Sequence, residues 1–303
     1  MRVGIFYTSI SDWRATPLKT GRLTDFGLGV VAAGDEIVNF KSHDQKIVDI
    51  DAGFILGYTL GENFRSKIIR NLKSRNIPII YIDSNIFNYG KKDNHCYRYS
   101  VNGVYPTDGE YFLSLPKDPT KLDKLLAMHD LEVKPWRKNG NHLVILGQRT
   151  EGWNMLGQNG IKWVLRMIER LREVSDRPIT VRLHPGDAGH NKANVERIRK
   201  RFGNNINIRT GGDIRDDLND AWCCIGFNST PNCVSAIEGI PVYLDEPTHS
   251  WATDVAFTEF SQISDPPMPD RAEWLHKIAH IHHTGEEIMQ GVYWNKFKTF
   301  YKL

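Results

Sequence analysis

Runs of consecutive apolar residues recur through the first half of the chain, and each run predicts a buried strand. The runs cover residues 1–8 (MRVGIFYT), 52–60 (AGFILGYTL) and 77–83 (IPIIYID). Such runs are typical of parallel strands, because helices cover both faces of a parallel sheet. Residues 62–75 carry apolar residues at helical spacing and predict a helix. Residues 9–25 are rich in turn residues and predict a loop, so the first half is predicted to be an α/β unit.

The second half of the chain alternates strand and helix patterns more regularly. Predicted strands lie at residues 142–147, 177–183, 205–210, 221–227 and 241–246. Predicted helices lie at residues 161–174, 194–203, 213–220 and 231–240. Because this alternation is typical of a parallel sheet with helical connections, we predict a second α/β domain.

Two further stretches lack this alternation. Residues 84–137 are irregular and rich in Asn, Tyr, Lys and Pro, and they end in KPWRKNG, which predicts a domain boundary. The last stretch, residues 270–303, is aromatic and is predicted to be helical.

The composition excludes several classes of protein. Of the 303 residues, 40% are hydrophobic and 25% are charged, which excludes disordered, collagen-like and coiled-coil chains. No run approaches the roughly 18 consecutive apolar residues of a membrane span, and the first residues lack the pattern of a signal peptide. We therefore expect a cytoplasmic protein. The four cysteines lack disulfide or metal-ligand spacing and predict reduced, mostly buried thiols.

Charge is distributed unevenly between the two halves. The net charge is +3; residues 1–140 carry 20 basic and 16 acidic residues, and residues 141–303 carry 19 and 20. A mildly positive first half is compatible with a polyanionic partner. It is much weaker than the basic surface of a dedicated DNA-binding domain.

Polar side chains follow the predicted strands of the second half. Ligands of open parallel sheets bind beyond the carboxyl ends of the strands, which share one edge. Several of these polar groups could therefore reach one ligand. They are Gln148, Arg149, His184, Asn228, Ser229 and Thr230, together with Arg182 near the end of its strand.

The turn after residue 227 has the strongest ligand-binding pattern. Pro231 suits the first position of a helix, and Ser229 or Thr230 can cap that helix. Exposed amides at the helix start, together with two hydroxyls, would form an anion site suited to a phosphate. Glu238 lies two turns further along and could hold a ribose diol. The alternative is an ordinary capped helix with a surface glutamate.

His184 is fixed by Pro185 at the end of a predicted strand. There it can meet a phosphate or a developing negative charge, although a histidine of this kind is also often structural. Arg149 and Arg182 are the cations in reach. Arg182 alternates with the apolar positions of its strand and could instead face a helix.

Motifs for several common cofactors are missing. The glycines of residues 27–35 form neither GxGxxG nor a Walker sequence, which argues against a dinucleotide or P-loop site. His282 and His283 lack a carboxylate or cysteine at metal-ligand spacing, so we predict no metal site.

Residues 180–187 (TVRLHPGD) and 213–256 resemble the donor half of GT-B glycosyltransferases, most closely those of the capsule-polysaccharide-synthesis type. The shared features are a His-Pro strand end, a Ser/Thr-rich turn, a helix carrying Glu238, a Gly-x-Pro-Val strand at 239–242 and a loop containing Trp251. The turn departs from the family pattern, because it is Asn-Ser-Thr-Pro where a glycine is common in the capsule enzymes.

Three other segments are similar to proteins of tailed phages, some of which are thought to glycosylate modified bases in phage DNA. These segments are residues 97–112, 134–155 and 273–297.

The resemblance implies an α/β protein of the GT-B fold, with two Rossmann-like parallel-sheet domains facing a cleft and a C-terminal helix crossing back. The implied boundaries are an acceptor-side domain at 1–137, a nucleotide-sugar-binding domain at 138–285 and a terminal helix at 286–303 that packs on the first domain.

The resemblance also implies a nucleotide-sugar donor as co-substrate, here expected to be a UDP-sugar. The phosphate-binding role falls on His184, Ser229 and Thr230, and the ribose-binding role on Glu238. We expect no metal and no other cofactor, because cationic and amide groups are available and the sequence has no DxD motif.

An acceptor hydroxyl needs a carboxylate to remove its proton if the enzyme inverts configuration. Asp83 follows a buried strand and is the first candidate, although the family shows an Asp-Gly-Phe run there; Asp25, in the predicted loop after the first strand, is its rival. His184 is the third candidate catalytic residue. Aromatic and basic residues could contact a DNA strand, the alternative being packing residues with a solvated lysine pair; they are Phe87, Tyr89, Lys91, Lys92, Tyr97 and Arg98.

These observations favour a glycosyltransferase that acts on a hydroxymethylated pyrimidine in phage DNA. The alternatives are a polysaccharide glycosyltransferase, a nucleotide-sugar enzyme such as an epimerase, and a catalytically silent nucleic-acid-binding module. Sugar transfer to an added acceptor separates the transferases from the epimerase, and the silent module predicts salt-sensitive DNA binding without stabilisation by nucleotides.

Overall fold

The computed structural model describes all residues except 11–15, 43–44, 60–61, 63–64, 88–95 and 151. It divides into two compact units. Unit 1 comprises Met1–Asn85, Lys92–Leu125 and His276–Leu303, and unit 2 comprises Ile86–Lys91 and Leu126–Leu275.

The described elements are strands β1 to β11 and helices α1 to α10. The strands are β1 (Arg2–Phe6), β2 (Glu36–Phe40), β3 (Ala52–Leu56), β4 (Ile79–Asp83), β5 (Cys96–Val101), β6 (His142–Leu146), β7 (Ile179–Arg182), β8 (Ile206–Arg209), β9 (Ala221–Gly226), β10 (Val242–Leu244) and β11 (His282–Thr284). The helices are α1 (Pro17–Ala32), α2 (Ser66–Ser74), α3 (Lys121–His129), α4 (Gly160–Val174), α5 (Ala188–Phe202), α6 (Ile214–Leu218), α7 (Pro231–Ile237), α8 (Ala272–His280), α9 (Gly285–Met289) and α10 (Val292–Tyr301).

Unit 1 is built on a six-stranded sheet in the order β11-β5-β4-β3-β1-β2. Strands β1 to β4 pair in parallel, while β5 pairs antiparallel with both β4 and β11. Successive side chains of a strand point to opposite faces. Phe54 therefore packs with α1, α9 and α10 on one face, and Ile55 packs with α2 on the other. Both faces are covered, which is why the apolar runs at β1, β3 and β4 predicted these strands correctly.

Two expectations for the first half of the chain were wrong. Residues 9–25 are not all loop, because α1 begins at Pro17, where the Thr16 side chain accepts a hydrogen bond from the Lys19 amide at 3.3 Å. Residues 84–137 contain β5 and α3. The sequence of β5, CYRYSV, has no apolar run, but Tyr97, Tyr99 and Val101 alternate with Arg98 and Ser100, which is a strand pattern that the interpretation of this stretch as irregular overlooked. All six residues are buried, so the alternation does not mark an exposed face.

Unit 2 is built on a five-stranded, fully parallel sheet in the order β10-β9-β6-β7-β8. This confirms the alternation of strands and helices predicted from the second half. The strand order reverses at β6, since β7 and β8 lie to one side of it and β9 and β10 to the other. The carboxyl ends beside such a reversal are the usual ligand site of Rossmann-like sheets.

The C-terminal stretch is less uniformly helical than predicted. It contains α8, α9 and α10, and also β11, which adds an edge strand to the sheet of unit 1. Asp35 holds α10 in place, because its Oδ2 atom accepts hydrogen bonds from Trp294 Nε1 at 2.7 Å and from Lys298 Nζ at 2.8 Å.

All four cysteines are buried. Within the described part of the chain, no helix combines the length and the apolar character that crossing a membrane would require.

Candidate functional site

The sheet of unit 2 brings several predicted residues to one edge. Leu146, at the end of β6, is paired with Arg182 of β7 on one side and with Gly226 of β9 on the other. The three strands therefore end at the same level. Their following segments carry the candidate side chains, which are Gln148, Arg149, His184, Asn228, Ser229 and Thr230.

Three amide side chains form a hydrogen-bonded network at this edge. Gln148 Nε2 donates to Asn228 Oδ1 at 2.6 Å, Asn228 Nδ2 donates to the Asn154 carbonyl at 2.9 Å, and Asn154 Nδ2 donates to Gln148 Oε1. Gln148 and Asn228 are buried. These two predicted donor-binding residues therefore hold the loop after β6 against the end of β9. Asn154, which completes the network, was missed because nothing in its local sequence marks it.

His184 presents a defined tautomer. The Gly186 amide donates to His184 Nδ1 at 2.9 Å, so Nδ1 is the acceptor and the proton of the neutral ring lies on Nε2. Burial lowers the pKa of His184, and the positive charge of Arg149 lowers it further, although Asp187 opposes this shift. The ring is therefore neutral at pH 7 and offers an Nε2–H donor.

The side chains of Arg149 and His184 both lie next to Gly186. A Cβ atom on Gly186 would come within 2.6 Å of Arg149 Nη2 and 3.0 Å of His184 Cε1. The missing side chain thus lets the guanidinium approach the imidazole. Because Arg149 is exposed and His184 is half-buried, this pair offers a cation and a neutral donor to an anionic ligand.

Asp187 ties the loops after β6 and β7 together. Its Oδ2 atom accepts hydrogen bonds from the Thr150 amide at 3.0 Å and the Thr150 hydroxyl at 2.5 Å, and Oδ1 lies 3.0 Å from His190 Nδ1. Burial alone would raise the pKa of Asp187, but these hydrogen bonds hold it below its ordinary value. The same bonds fix the chain directly after Arg149 to the chain three residues after His184.

The turn before α7 differs from expectation. Pro231 opens the helix as predicted, but Thr230 has helical backbone angles and its side chain makes no capping bond. The Asn232 amide donates to the Ser229 carbonyl at 3.0 Å, and the Cys233 amide to the Thr230 carbonyl at 2.9 Å. The predicted side-chain cap was therefore wrong, and a tight first turn already uses the amides of Asn232 and Cys233. The hydroxyls of Ser229 and Thr230 remain as candidate ligand contacts.

Asn232 is a polar residue that sequence reasoning missed. It is fully buried, and neither Oδ1 nor Nδ2 has a hydrogen-bond partner among the described residues. The buried Ser229 Oγ atom is in the same situation. Asn232 fits there because Gly226 has no side chain; a Cβ would come within 2.0 Å of Asn232 Oδ1. Unpartnered buried polar groups are costly and commonly bind water or a ligand.

Glu238 and Arg182 are engaged elsewhere in unit 2. Glu238 is the C-cap of α7, about 12 Å along the helix from Thr230 at 1.5 Å per residue, and its buried carboxylate binds Lys134. Arg182 binds Asp217, which also accepts from Arg209 Nε at 2.9 Å. Arg182 therefore faces helix α6, which carries Asp217, and this is the alternative that the strand alternation left open.

In unit 1, Asp83 ends β4 and lies directly opposite Arg98 of β5. Arg98 Nη2 donates to Asp83 Oδ2 at 2.6 Å. The predicted role of Arg98 as an acceptor contact does not fit its burial, since only 4% of its side chain is exposed, against 35% for Asp83. Asp25 is not in a loop, as we expected, but half-buried in the middle of α1.

The other residues predicted to contact the acceptor are either buried in packing contacts or lie outside the described residues. Tyr97 is buried, with the Arg22 guanidinium 3.8 Å from its ring centroid. Phe87 is buried and stacks on His129 with ring centroids 6.2 Å apart. These two side chains therefore fit the packing alternative. Tyr89, Lys91 and Lys92 lie outside the described residues.

We found no cluster of three or more His, Cys, Asp or Glu side chains placed to hold a metal ion, within the ranges that the structure covers.

Comparison with known proteins identifies the fold. No protein-family model matches the sequence, and none of the curated proteins matches it. A solved structure described as Thermosulfurimonas dismutans KpsC, beta Kdo 2,4 transferase, matches with a TM-score of 0.57 at 13% identity, covering 93% of this chain and 90% of that chain. The beta Kdo 2,7 transferase of KpsC from the same organism matches with a TM-score of 0.51 at 13% identity, covering 98% and 99%. The two Rossmann-like units therefore have the GT-B fold.

Proposed function

We propose that the protein is a glycosyltransferase that moves a sugar from a nucleotide-sugar donor to a hydroxyl acceptor. The observation that carries this proposal is the neutral His184 beside Arg149 at the strand-order reversal of unit 2. A GT-B fold makes this edge the expected position for the nucleotide part of a donor. Fold alone does not determine activity, so the proposal depends on the chemistry of these side chains.

The phosphates of the nucleotide-sugar match the positive charge and the hydrogen-bond donors at this edge. The Arg149 guanidinium supplies a positive charge, and His184 Nε2 and the hydroxyls of Ser229 and Thr230 supply hydrogen bonds. As the bond from the sugar to the leaving phosphate oxygen breaks, negative charge builds on that oxygen. Fixed donors stabilise such developing charge in the transition state. Because these side chains stabilise the negative charge on the leaving phosphate, the proposed mechanism needs no metal ion. We propose that Glu238 binds the ribose, and that its carboxylate releases Lys134 when it does so.

The acceptor hydroxyl must lose a proton as its oxygen attacks the anomeric carbon. We assign the removal of this proton to Asp83, whose carboxylate is partly exposed at the carboxyl end of β4. A carboxylate positioned in this way acts as a general base. The new bond forms between the acceptor oxygen and the anomeric carbon while the nucleotide leaves with its phosphate.

Two acceptor classes compete. The positive charge of residues 1–140 supports a hydroxymethylated pyrimidine in phage DNA, but burial of Tyr97 and Arg98 removes two of its proposed contacts. A carbohydrate hydroxyl is supported by the names of the structurally similar proteins, which are Kdo transferases. We therefore place the carbohydrate acceptor first and the DNA acceptor second.

Binding and transfer assays test this proposal. Calorimetric titration with uridine, cytidine and other nucleoside mono- and diphosphates should give one ligand that binds and raises the melting temperature. Mass spectrometry should then show transfer of its sugar to a carbohydrate or to hydroxymethylated DNA. His184→Ala should lower turnover by roughly 10²-fold, as expected for losing one group aimed at developing charge.

His276→Ala is the matched control, because His276 is an exposed histidine of α8. It should leave turnover unchanged. The absence of binding heat with every nucleotide would end the donor assignment. Conversion of a nucleotide-sugar without transfer would instead identify an epimerase.

A further inference from the structure

We infer that Arg98 is the positioning residue of Asp83, and that it acts on the reaction only through this carboxylate. The inference rests on the proposed function, because it takes Asp83 as the base. It also replaces the interpretation of Arg98 as an acceptor contact.

The pairing of the strands places the two side chains face to face. Asp83 and Arg98 are direct partners in the antiparallel pair of β4 and β5, and His282 of β11 is the partner of Arg98 on its other side. Directly opposite residues on one face of such a pair lie close enough to interact. Since β5 is hydrogen-bonded on both edges, the backbone of Arg98 is held more firmly than that of a loop residue.

The guanidinium binds the end of β4 at two points. Nη2 donates to Asp83 Oδ2 at 2.6 Å, and Nε donates to the Ser84 carbonyl at 2.7 Å. The Ser84 amide donates to the other carboxylate oxygen, Oδ1, at 2.7 Å. Each oxygen of Asp83 therefore accepts a hydrogen bond from its own fixed donor, and these two bonds set the plane of the carboxylate.

Exposure separates the roles of the two residues. Arg98 is 4% exposed and Asp83 is 35% exposed. A substrate approaching from solvent can therefore reach the Asp83 carboxylate but not the guanidinium behind it. This arrangement fits a base that contacts substrate and a partner that orients the base. The competing explanation is an ion pair that only stabilises the end of the sheet.

A double-mutant cycle separates these explanations. Arg98→Gln should lower kcat by about 10- to 10²-fold, because misplacing a reacting group by about 1 Å costs this much, while the KM for the donor should change less than twofold. In an Asp83→Asn background the same substitution should lower the rate no further, since the group that Arg98 orients is already lost. Two residues that act as one unit are non-additive in this way.

Arg98→Lys tests the same point if Arg98→Gln fails to fold. Lysine keeps the charge, but a single ammonium does not reproduce the fork that binds Asp83 and the Ser84 carbonyl. Its kcat should therefore fall while its melting temperature stays close to that of the wild type. Lys298→Gln is the control, because it breaks another partly buried ion pair of unit 1, with Asp35 at 2.8 Å. This control should lower stability and leave kcat unchanged.

The outcomes are distinct. A folded Arg98 variant with wild-type kcat, or losses that multiply in the double variant, overturns this inference alone. A wild-type protein that transfers no sugar overturns the proposed function and this inference with it.

Discussion

At the scale of single residues, the candidate site depends on a glycine that carries no functional group. Gly186 provides the amide that fixes the His184 tautomer and the space that admits the Arg149 guanidinium. Its importance is therefore geometric. A sequence motif of His-Pro-Gly-Asp shows the histidine but not the arginine that approaches it from another loop.

Gly186→Ala tests this geometry. The added methyl group would contact Arg149 Nη2, and because this is the far end of a flexible side chain, we expect the guanidinium to move and the fold to survive. The affinity for the nucleotide should fall several-fold, while the melting temperature changes by no more than about 2 °C for an exposed substitution. Calorimetry and a thermal melt measure both effects.

Gly189→Ala is the control for this variant, since nothing lies within 4 Å of its added Cβ. It should bind nucleotide like the wild type. Equal affinities for the two variants would show that Arg149 does not contribute to donor binding.

At the scale of elements, unit 1 depends on the close approach of α1 and α9. Gly29 of α1 lies against the backbone of α9, and a Cβ there would come within 1.9 Å of the Ile288 carbonyl oxygen. Next to this contact, α1 buries Leu23, Phe26 and Val30 against the sheet. Helix α1 therefore packs against the sheet on one side and against α9 on another, and Gly29 sets the distance between α1 and α9.

Gly29→Ala should destabilise the protein, because the methyl group meets a backbone atom that cannot rotate away. Forcing apart a packed contact typically costs about 1–3 kcal/mol. Gly21→Ala, in the same helix, meets nothing within 4 Å and should be neutral or gain up to about 1 kcal/mol from helix propensity. Urea unfolding of both variants provides the comparison. A stable Gly29→Ala protein would mean that α9 can shift at little cost.

At the scale of the whole molecule, the two ends of the chain meet at Asp35. Its carboxylate binds the N-terminal amine of Met1, the indole of Trp294 and the ammonium of Lys298. Burial alone would raise the pKa of Asp35, but its hydrogen bonds to Lys298, the N-terminal amine and Trp294 lower it to about 2. The folded protein therefore favours the ionised carboxylate more than the unfolded chain does.

This difference makes the contribution of Asp35 depend on pH. A carboxylate with a lowered pKa stabilises the fold fully above its unfolded pKa of about 3.9, and loses this contribution as the pH falls towards about 2. Asp35→Asn should therefore lower the free energy of unfolding by about 2 kcal/mol at neutral pH, and by progressively less below about pH 4. Urea unfolding across this range measures the difference. Glu36→Gln, at an exposed carboxylate, is the control and should have little effect. A difference from wild type that stays constant with pH would contradict this explanation.

The sequence by itself determined the α/β class, the strands β1, β3 and β4 of unit 1, and the alternating pattern of unit 2. These features leave local signals, because each buried parallel strand must be apolar along its whole length and each connecting helix has one apolar face. The clustering of Arg149, His184 and Asn228 followed from the rule that parallel strands end at one edge.

The tertiary structure alone decided what these residues contact. The burial of Arg98 in strand β5 could not be predicted from the chain, because a buried arginine needs a partner for its charge and that partner, Asp83, lies on a neighbouring strand. The approach of Arg149 to His184, the hydrogen bonds between Thr150 and Asp187, and the hydrogen bond between Gln148 and Asn228 have the same origin. Each depends on atoms that come together only when segments distant in sequence pack, and such contacts leave no periodic signal in the chain.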